Sequence, residues 1–398
     1  MTETLGAVVA GHLCLDIIPD LTGVGEAPLS DLLRPGTLVE VGDAVLATGG
    51  AVSNTGLALH ILGVPTQLMG KVGDDGFGRV VRSIVEGHGA GLADGMVVDP
   101  ATGTSYTVII NLPGVDRIFM HAPAANHTFG AGDVRYDIVE RARLFHFGYP
   151  TLMRRTFQQG GEELVRMFGR VKQMGVTTSL DLSLPDPASE AGRADWGTVF
   201  ARVLPNVDVF LPSIEETLFM LRPDTYRELL EAAPDGDLLP SVTSKLLHSV
   251  SEELLAFGVA IVGLKLGSRG FYLRTASEAR LSGIGRAAPA DPAEWAGREL
   301  WAPCFQAHLV GTTGAGDTTI AGFLTGLLRG LSVEEAVTMA VAVGACNVEA
   351  ADALGGLQSW HETAARVAAG WARHDLTPDG EGWRFDPTHG LWERGGEG

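Results

Sequence analysis

The sequence predicts an α/β protein with a mostly parallel sheet covered by helices on both faces and a smaller sheet beside it. Three observations point there. Apolar, strand-like runs alternate with helix-like stretches over most of the length. One stretch, "GTSYTVIINLPGVDRIFMH" at 103–121, breaks the alternation and reads as two extended arms around an "LPGVD" turn. Late in the chain a glycine-rich loop, "GTTGAGDTT" at 311–319, stands between a strand candidate and a helical pattern.

In chain order, "GAVVAGHLCLDII" is the first strand. Its apolar run is short, is interrupted by His12 and Asp16 and lacks a basic leader, so it reads as a strand rather than a signal peptide. "NTGLALHILG", "TQLMGKVG" and "RVVRSIVEGHG" continue the alternation. The extended segment 17–40 is expected to join the 103–121 arms in the small sheet. "RLFHFG", a helix around 161–174, "VTTSLDLS", "VDVFLPS", a long helical region and "VAIVGLKLG" follow. Residues 217–257 exceed what one crossover needs, and "PDGDLLPSV" suggests inserted helices there. "FQAHLV" at 305–310 is the strand expected before the glycine loop. After the loop, Ile320, Phe323, Leu324, Leu327 and Leu328 share one helical face, and Gly330 is placed to end that helix. The tail after Gly355 carries Trp360, Trp371, Trp383 and Trp392 and is expected to pack back in part, with "ERGGEG" loose. There is no repeat of solenoid length. The reading is one domain over 1–398, with a lid from about 17–40 and 103–121 and a C-terminal extension of about 356–398.

The bulk numbers narrow the function. Of 398 residues, 45% are hydrophobic and 19% charged, an ordinary globular composition with scattered rather than clustered glycine and proline. With 29 basic against 48 acidic residues the formal net charge is −19, which argues against nucleic acid and anionic membranes as partners. A small phosphorylated ligand in one local site remains compatible. Cys14, Cys304 and Cys346 are few, distant and odd in number, as in a reducing compartment. No run approaches the ~18 apolar residues of a membrane span. The expected location is the cytoplasm, and the expected chemistry that of small molecules.

The glycine loop is where such chemistry fits. Gly314, Ala315 and Gly316 lie at a strand-to-helix junction, where the first amide N–H groups lack intrahelical partners and the dipole favours an anion. There is no GK[ST] as in a Walker loop, and Thr319 stands where a dinucleotide fingerprint has its third glycine. Asp317 beside these amides could accept a hydroxyl proton while fixed donors hold a moving phosphoryl group. As a favoured capping residue it also fits a plain helix cap. The sequence carries its own control, because Gly130-Ala131-Gly132-Asp133 repeats the tetrapeptide without a strand before it, and there a solvated turn is the simple reading.

On these residues the chain resembles the ribokinase-type (PfkB) carbohydrate kinase family over nearly its whole length. Gly311-Thr312-Thr313-Gly314-Ala315-Gly316-Asp317, followed by Ala321-Gly322-Phe323-Leu324, is similar to the family's C-terminal D-T-x-G-A-G-D signature. Gly49-Gly50-Ala51-Val52-Ser53-Asn54, continuing to Gly63 and "GKVGDDGFG" at 70–78, is similar to its N-terminal glycine signature. "LPSIEE" at 211–216 resembles the N-x-x-E segment, and "GLKLGSRGFYL" at 263–273 the nucleotide-side strand. The resemblance implies a ribokinase-like three-layer α/β/α sandwich with a β lid. It makes Asp317 the general base and the amides of Gly314, Ala315 and Gly316 the anion hole. It places Asp16, Gly50, Asn54 and Asn126 on substrate hydroxyls, and Lys265, Gly267, Gly270, Thr312 and Thr313 toward ATP. Glu216 would act near Mg2+ and the phosphates. The lid carries a hint of a homodimer.

Taken alone, Asp16 also fits a strand-end turn and Asn54 a helix cap. "GDDGFG" reads as a turn, so Asp74 and Asp75 receive no catalytic role. Three departures stand out. Gly311 replaces an aspartate linked with a monovalent cation, so no potassium requirement is carried over. Ser213 replaces the asparagine of N-x-x-E, and Val341 an asparagine beside adenine. The implied reaction is ATP- and Mg2+-dependent phosphorylation of a hydroxymethyl group on a small sugar or similar alcohol. Three alternatives remain. A nucleoside kinase would use Phe119 and Tyr106 as a slot for the base. A phosphosugar kinase would need a basic cluster, for which the lid offers only Arg117. A non-catalytic sugar-binding regulator is permitted by Ser213 and Gly311. His121, His127 and His146 show no metal-ligand spacing, His146 reads as a buried strand end, and no G-x-S-x-G elbow occurs.

Overall fold

The computed structural model describes residues 5–24, 35–36, 38–112, 118–233 and 235–395. In chain order the strands are β1 (Leu5–Gly11), β2 (Cys14–Pro19), β3 (Ala44–Gly49), β4 (Thr66–Met69), β5 (Lys71–Gly73), β6 (Val97–Asp99), β7 (Tyr106–Ile110) and β8 (Ile118–Ala122). They continue as β9 (Ala142–Gly148), β10 (Thr177–Leu180), β11 (Val209–Phe210), β12 (Ile261–Lys265), β13 (Phe271–Thr275), β14 (Glu299–Ala302), β15 (Trp383–Asp386) and β16 (Leu391–Arg394). Ten of them form one sheet in the order β15-β16-β14-β13-β12-β11-β10-β9-β1-β4. From β4 to β12 neighbours are parallel, and beyond β12 they are antiparallel.

Side-chain alternation along these strands builds two cores. Ala7 and Val9 of β1 join Leu144, Leu211, Ile261 and Phe271 on one face, with the helices Ala51–Ile61, Ala315–Arg329 and Val333–Asn347. Val8 and Ala10 join Phe145, Phe147, Val262, Tyr272 and Trp301 on the other, with the helices Arg154–Gln173, Trp196–Val203 and Ser244–Ala256. Strands buried on both faces need apolar residues at nearly every position, which explains why their runs read as continuous rather than alternating. The result is the expected three-layer α/β/α sandwich.

Four further strands make a separate sheet in the order β3-β2-β7-β8. The β7–β8 hairpin matches the 103–121 arms, while its turn and Arg117 fall in 113–117, outside the described residues. The other half differs from the sequence reading. Its strands flank the 17–40 segment, at 14–19 and 44–49, and residues 25–34 and 37 are outside the described set. The "GAVVAGHLCLDII" run is likewise two strands in two sheets, with Asp16 in the small one, aligned with Ala47 and Thr107. Gly11, at φ 129°, allows the break, and a Cβ there would strike the Gly148 backbone.

Two later expectations also shift. "FQAHLV" is not a strand, and the one preceding the glycine loop is β14. Phe305 instead stacks on Trp371 with ring centroids 4.6 Å apart, and Val310 donates to the Val348 carbonyl at 2.8 Å, so tertiary partners override the apolar pattern. The tail does more than pack back, since β16 pairs with β14 and adds two strands to the main sheet. The inserted region 217–257 holds the expected extra helices, Pro223–Ala232 and Ser244–Ala256. Among the described residues no helix is long and apolar enough to cross a membrane.

Candidate active site

The parallel strands all point their C-terminal ends at one side of the sheet, and chemistry-bearing residues collect there. Such crevices are where open α/β sheets take ligands. His12 follows β1, Tyr149 follows β9, Asp181 follows β10, Ser213 and Glu216 follow β11, and Lys265 ends β12.

Asp317 sits opposite them, in the first turn of the helix Ala315–Arg329. Gly314 caps that helix at φ 74°, a left-handed conformation, and a Cβ there would meet the Ala353 carbonyl oxygen at 2.7 Å. Asp317 is only 3% exposed, yet its carboxylate is well supplied with donors. Tyr149 Oη donates to both oxygens at 2.8 Å, Asn54 Nδ2 to Oδ2 at 2.9 Å, and Thr55 Oγ1 to Oδ1 at 3.2 Å. Asn54 and Thr55 come from the helix Ala51–Ile61, which packs directly on the Asp317 helix. Burial, then the charge of Asp317, pushes the Tyr149 hydroxyl well above its usual range, so it stays a donor. Tyr149 is held at φ 61°, uncommon for a residue with a side chain.

Beside the loop, Lys265 lies within 3.5 Å of where a Gly316 Cβ would stand. Burial alone would lower the lysine's pKa, but Asp181, Glu216 and Asp317 outweigh it and hold the ammonium charged. Asp181 is fully buried, and neither carboxylate oxygen has a hydrogen-bond partner among the described residues. Lys265 Nζ stands 3.6 Å from it, and burial raises its pKa despite that cation. Glu216 and Ser213 form a capping box: Glu216 Oε2 accepts from the Ser213 amide at 2.7 Å, and Ser213 Oγ from the Glu216 amide at 3.1 Å. The serine at the asparagine position thus does structural work in starting its helix.

A cavity of about 410 Å3 opens next to the loop. Lys265, Gly267, Gly270, Thr312, Ala315 and Gly316 line its polar side, and Leu309, Val341, Ala345 and Val348 lie on its apolar side. The Ala315 amide donates to the Thr312 carbonyl at 3.2 Å. The Thr313 carbonyl accepts from Asn347 Nδ2 at 2.8 Å, which ties the loop to the neighbouring helix.

On the opposite side, Gly49 and Gly50 let two side chains press against the chain. A Cβ on Gly49 would collide with the Asp16 carboxylate, and one on Gly50 would meet His12 Nδ1 at 2.5 Å. Burial raises the Asp16 pKa, and Cys14 Sγ stands 3.3 Å from its Oδ1. Asn54 Oδ1 is buried without a partner among the described residues, an open acceptor. Asn126 has backbone partners. It is fully buried, donating to the Leu13 carbonyl at 2.9 Å and accepting from the Leu13 amide at 3.3 Å, so it braces the β1–β2 link.

Residues 7–359 match the model of the pfkB family carbohydrate kinases. The chain belongs to that family. Among curated pfkB-type relatives are two fructokinases of Oryza sativa subsp. japonica. Fructokinase-2 is 27% identical over 223 residues, covering 55% of this chain and 60% of that enzyme. Fructokinase-1 is 24% identical over 346 residues, covering 84% of this chain and 89% of that enzyme. A solved ribokinase of Arabidopsis thaliana, complexed with ribose and ATP, superposes with a TM-score of 0.67 at 18% identity, covering 91% of this chain and 98% of that one. That likeness shows a shared fold.

Sequence reasoning missed Tyr149, Thr55, Asp181 and His12. Asp181 had a signal, a lone carboxylate ending the strand-like "VTTSLD", as ligand groups in such sheets do. Tyr149 had none, because its link to Asp317 spans 168 residues.

Proposed function

We propose that the protein transfers the γ-phosphoryl group of ATP to a hydroxymethyl hydroxyl of a small sugar or sugar-like alcohol, with Asp317 as general base. One observation carries this reading: a buried carboxylate held by three donors, Tyr149, Asn54 and Thr55, next in the chain to Gly316, which with Lys265 lines a cavity of nucleotide size. Neighbouring substrate hydroxyls donate to Asp16 and to the open acceptor of Asn54, while the reacting hydroxyl gives its proton to Asp317 as its oxygen bonds to the γ-phosphorus and the bond from that phosphorus to the β-phosphate oxygen breaks, releasing ADP. Lys265 and the amides at Gly314 and Gly316 hold the charge of the moving phosphoryl group. Adenine fits the apolar side of the cavity, against Val341 and Ala345.

Magnesium fits this site by its donors. The orphaned oxygens of Asp181 and the second oxygen of Glu216 are hard ligands, suited to hold it directly or through water. When bound it would neutralise phosphate charge. The small sheet β3-β2-β7-β8 would act as the lid that keeps water from the γ-phosphate.

The nucleoside alternative is narrowed. Tyr106 packs on Phe77 with centroids 5.4 Å apart, on the face of β7 opposite Thr107. Phe119 remains on the His121 face of β8, 58% exposed. Incubation with ATP, Mg2+ and a panel of sugars, phosphosugars and nucleosides should yield ADP with one class of sugar. Saturable sugar binding without ADP under those conditions would make the protein a regulator instead.

A further inference from the structure

We propose that His12, Cys14 and His121 form a binding site for a thiophilic divalent cation, zinc above all, which ties the small sheet to the end of β1. The three side chains come from places far apart in sequence. His12 and Cys14 flank the β1–β2 link, and His121 is on β8. One ligand atom from each lies within 4.8 Å of the other two.

The geometry goes beyond proximity. His12 Nε2 and His121 Nε2 are 3.4 Å apart, long for a direct hydrogen bond. Two nitrogens at ~2.0–2.1 Å from one tetrahedral zinc stand about 3.3–3.4 Å apart. His121 Nδ1 is 3.0 Å from Thr107 Oγ1, and in the tautomer that donates there Nε2 faces His12 with a lone pair available. That outer hydrogen bond is what a ligating imidazole ordinarily has. His12 is 3% exposed, and its Nδ1 has no partner among the described residues, so the ring is buried with its polar capacity unmet. Cys14 Sγ completes a His2Cys set, the donor mixture that selects zinc over magnesium. Its thiol proton would leave to solvent as the metal binds. A water can complete the tetrahedron.

Such a metal would not be the magnesium of phosphoryl transfer, which needs oxygen ligands near the phosphates. It would cross-link β8 to the β1–β2 link, holding the small sheet in place. The proposal stands whether or not the kinase reading does, because it rests on binding alone.

The test is titration of the purified, metal-stripped full-length protein with Zn2+ and with Co2+ as a spectroscopic substitute. One equivalent per chain is expected. Co2+ should give a thiolate-to-metal absorption band and the visible bands of tetrahedral coordination. Cys14→Ser should abolish the thiolate band, and His121→Asn should weaken Zn2+ affinity by about 10–100-fold with an unchanged circular dichroism spectrum. Thr107→Val, which removes the hydroxyl beside His121 Nδ1 and its 3.6 Å contact with Cys14 Sγ but no proposed ligand, should weaken it within about the same 10–100-fold span. Zinc should raise the melting temperature of wild type more than that of His121→Asn. A thiolate band that persists in Cys14→Ser, pointing to Cys304 or Cys346, would overturn the proposal. So would stoichiometric binding unchanged by His121→Asn, or no binding by wild type.

Discussion

The chain contains Gly-Ala-Gly-Asp twice, and the two copies have opposite fates. At 130–133 the tetrapeptide forms one short 3-10 turn. Asp133 Oδ2 bends back to accept from the Gly130 amide at 2.8 Å, and Oδ1 pairs with Lys71 at 3.2 Å. It is a structural joint, more enclosed than the solvated turn its sequence suggested. At 314–317 the same letters start a helix of fifteen residues, and Asp317 reaches across to Asn54, Thr55 and Tyr149. The first aspartate satisfies its own turn, whereas the second is held by other elements. The lesson is physical: a carboxylate is available for chemistry when its donors come from elsewhere and its own backbone makes no demand on it.

The largest expected contrast is between the two aspartates. Asp317→Asn should lower kcat by roughly 10²–10⁴-fold in steady-state phosphorylation assays, the usual worth of a general base. Should the variant keep near-full turnover, the base lies elsewhere. The glycines come next. Gly314→Ala places a Cβ against the Ala353 backbone at a positive φ and should cost about 2–4 kcal/mol of stability by denaturant unfolding. Gly130→Ala, at φ −152°, meets only the tips of Glu163 and Arg155, which can move, and should cost under about 1 kcal/mol. Equal losses at both would break the distinction.

Tyr149→Phe removes one donor shared by both Asp317 oxygens and should reduce kcat/KM about 10-fold, about 1.4 kcal/mol, with little change in melting temperature. An unaffected kcat/KM would mean that Asn54 and Thr55 orient the carboxylate unaided. The smallest effect is expected from Asp133→Asn, which keeps the turn but weakens a pair that Lys71 also makes with Asp99 at 3.0 Å. About 1 kcal/mol or less in stability and no change in kcat should follow. A loss of turnover comparable to that of Asp317→Asn would end the comparison.

Much of this was legible before the fold was known. Continuous apolar runs announced buried parallel strands, and "LPSIEE" carried a capping box as well as a family motif. The helix after the glycine loop, its buried face and its Gly330 terminus follow from local spacing and left-handed preference. The 305–310 run misled because Phe305 stacks on Trp371 of the tail and the Val310 amide turns to the Val348 carbonyl, so the run forms no ladder strand. The backbone partners of Asn126 had no signal in the sequence, because the Leu13 peptide it bonds lies 113 residues away.

What the residues alone determined is the layered α/β architecture and the place of the glycine loop, since both arise from periodicity and backbone preference acting within a few turns of chain. What only the tertiary structure decided is which groups meet: Tyr149 with Asp317, Asp181 with Lys265, His12 with His121. Those encounters join residues separated by up to 168 positions, and no local rule fixes them. They depend on the order in which parallel strands are laid side by side, which is settled by packing two cores at once.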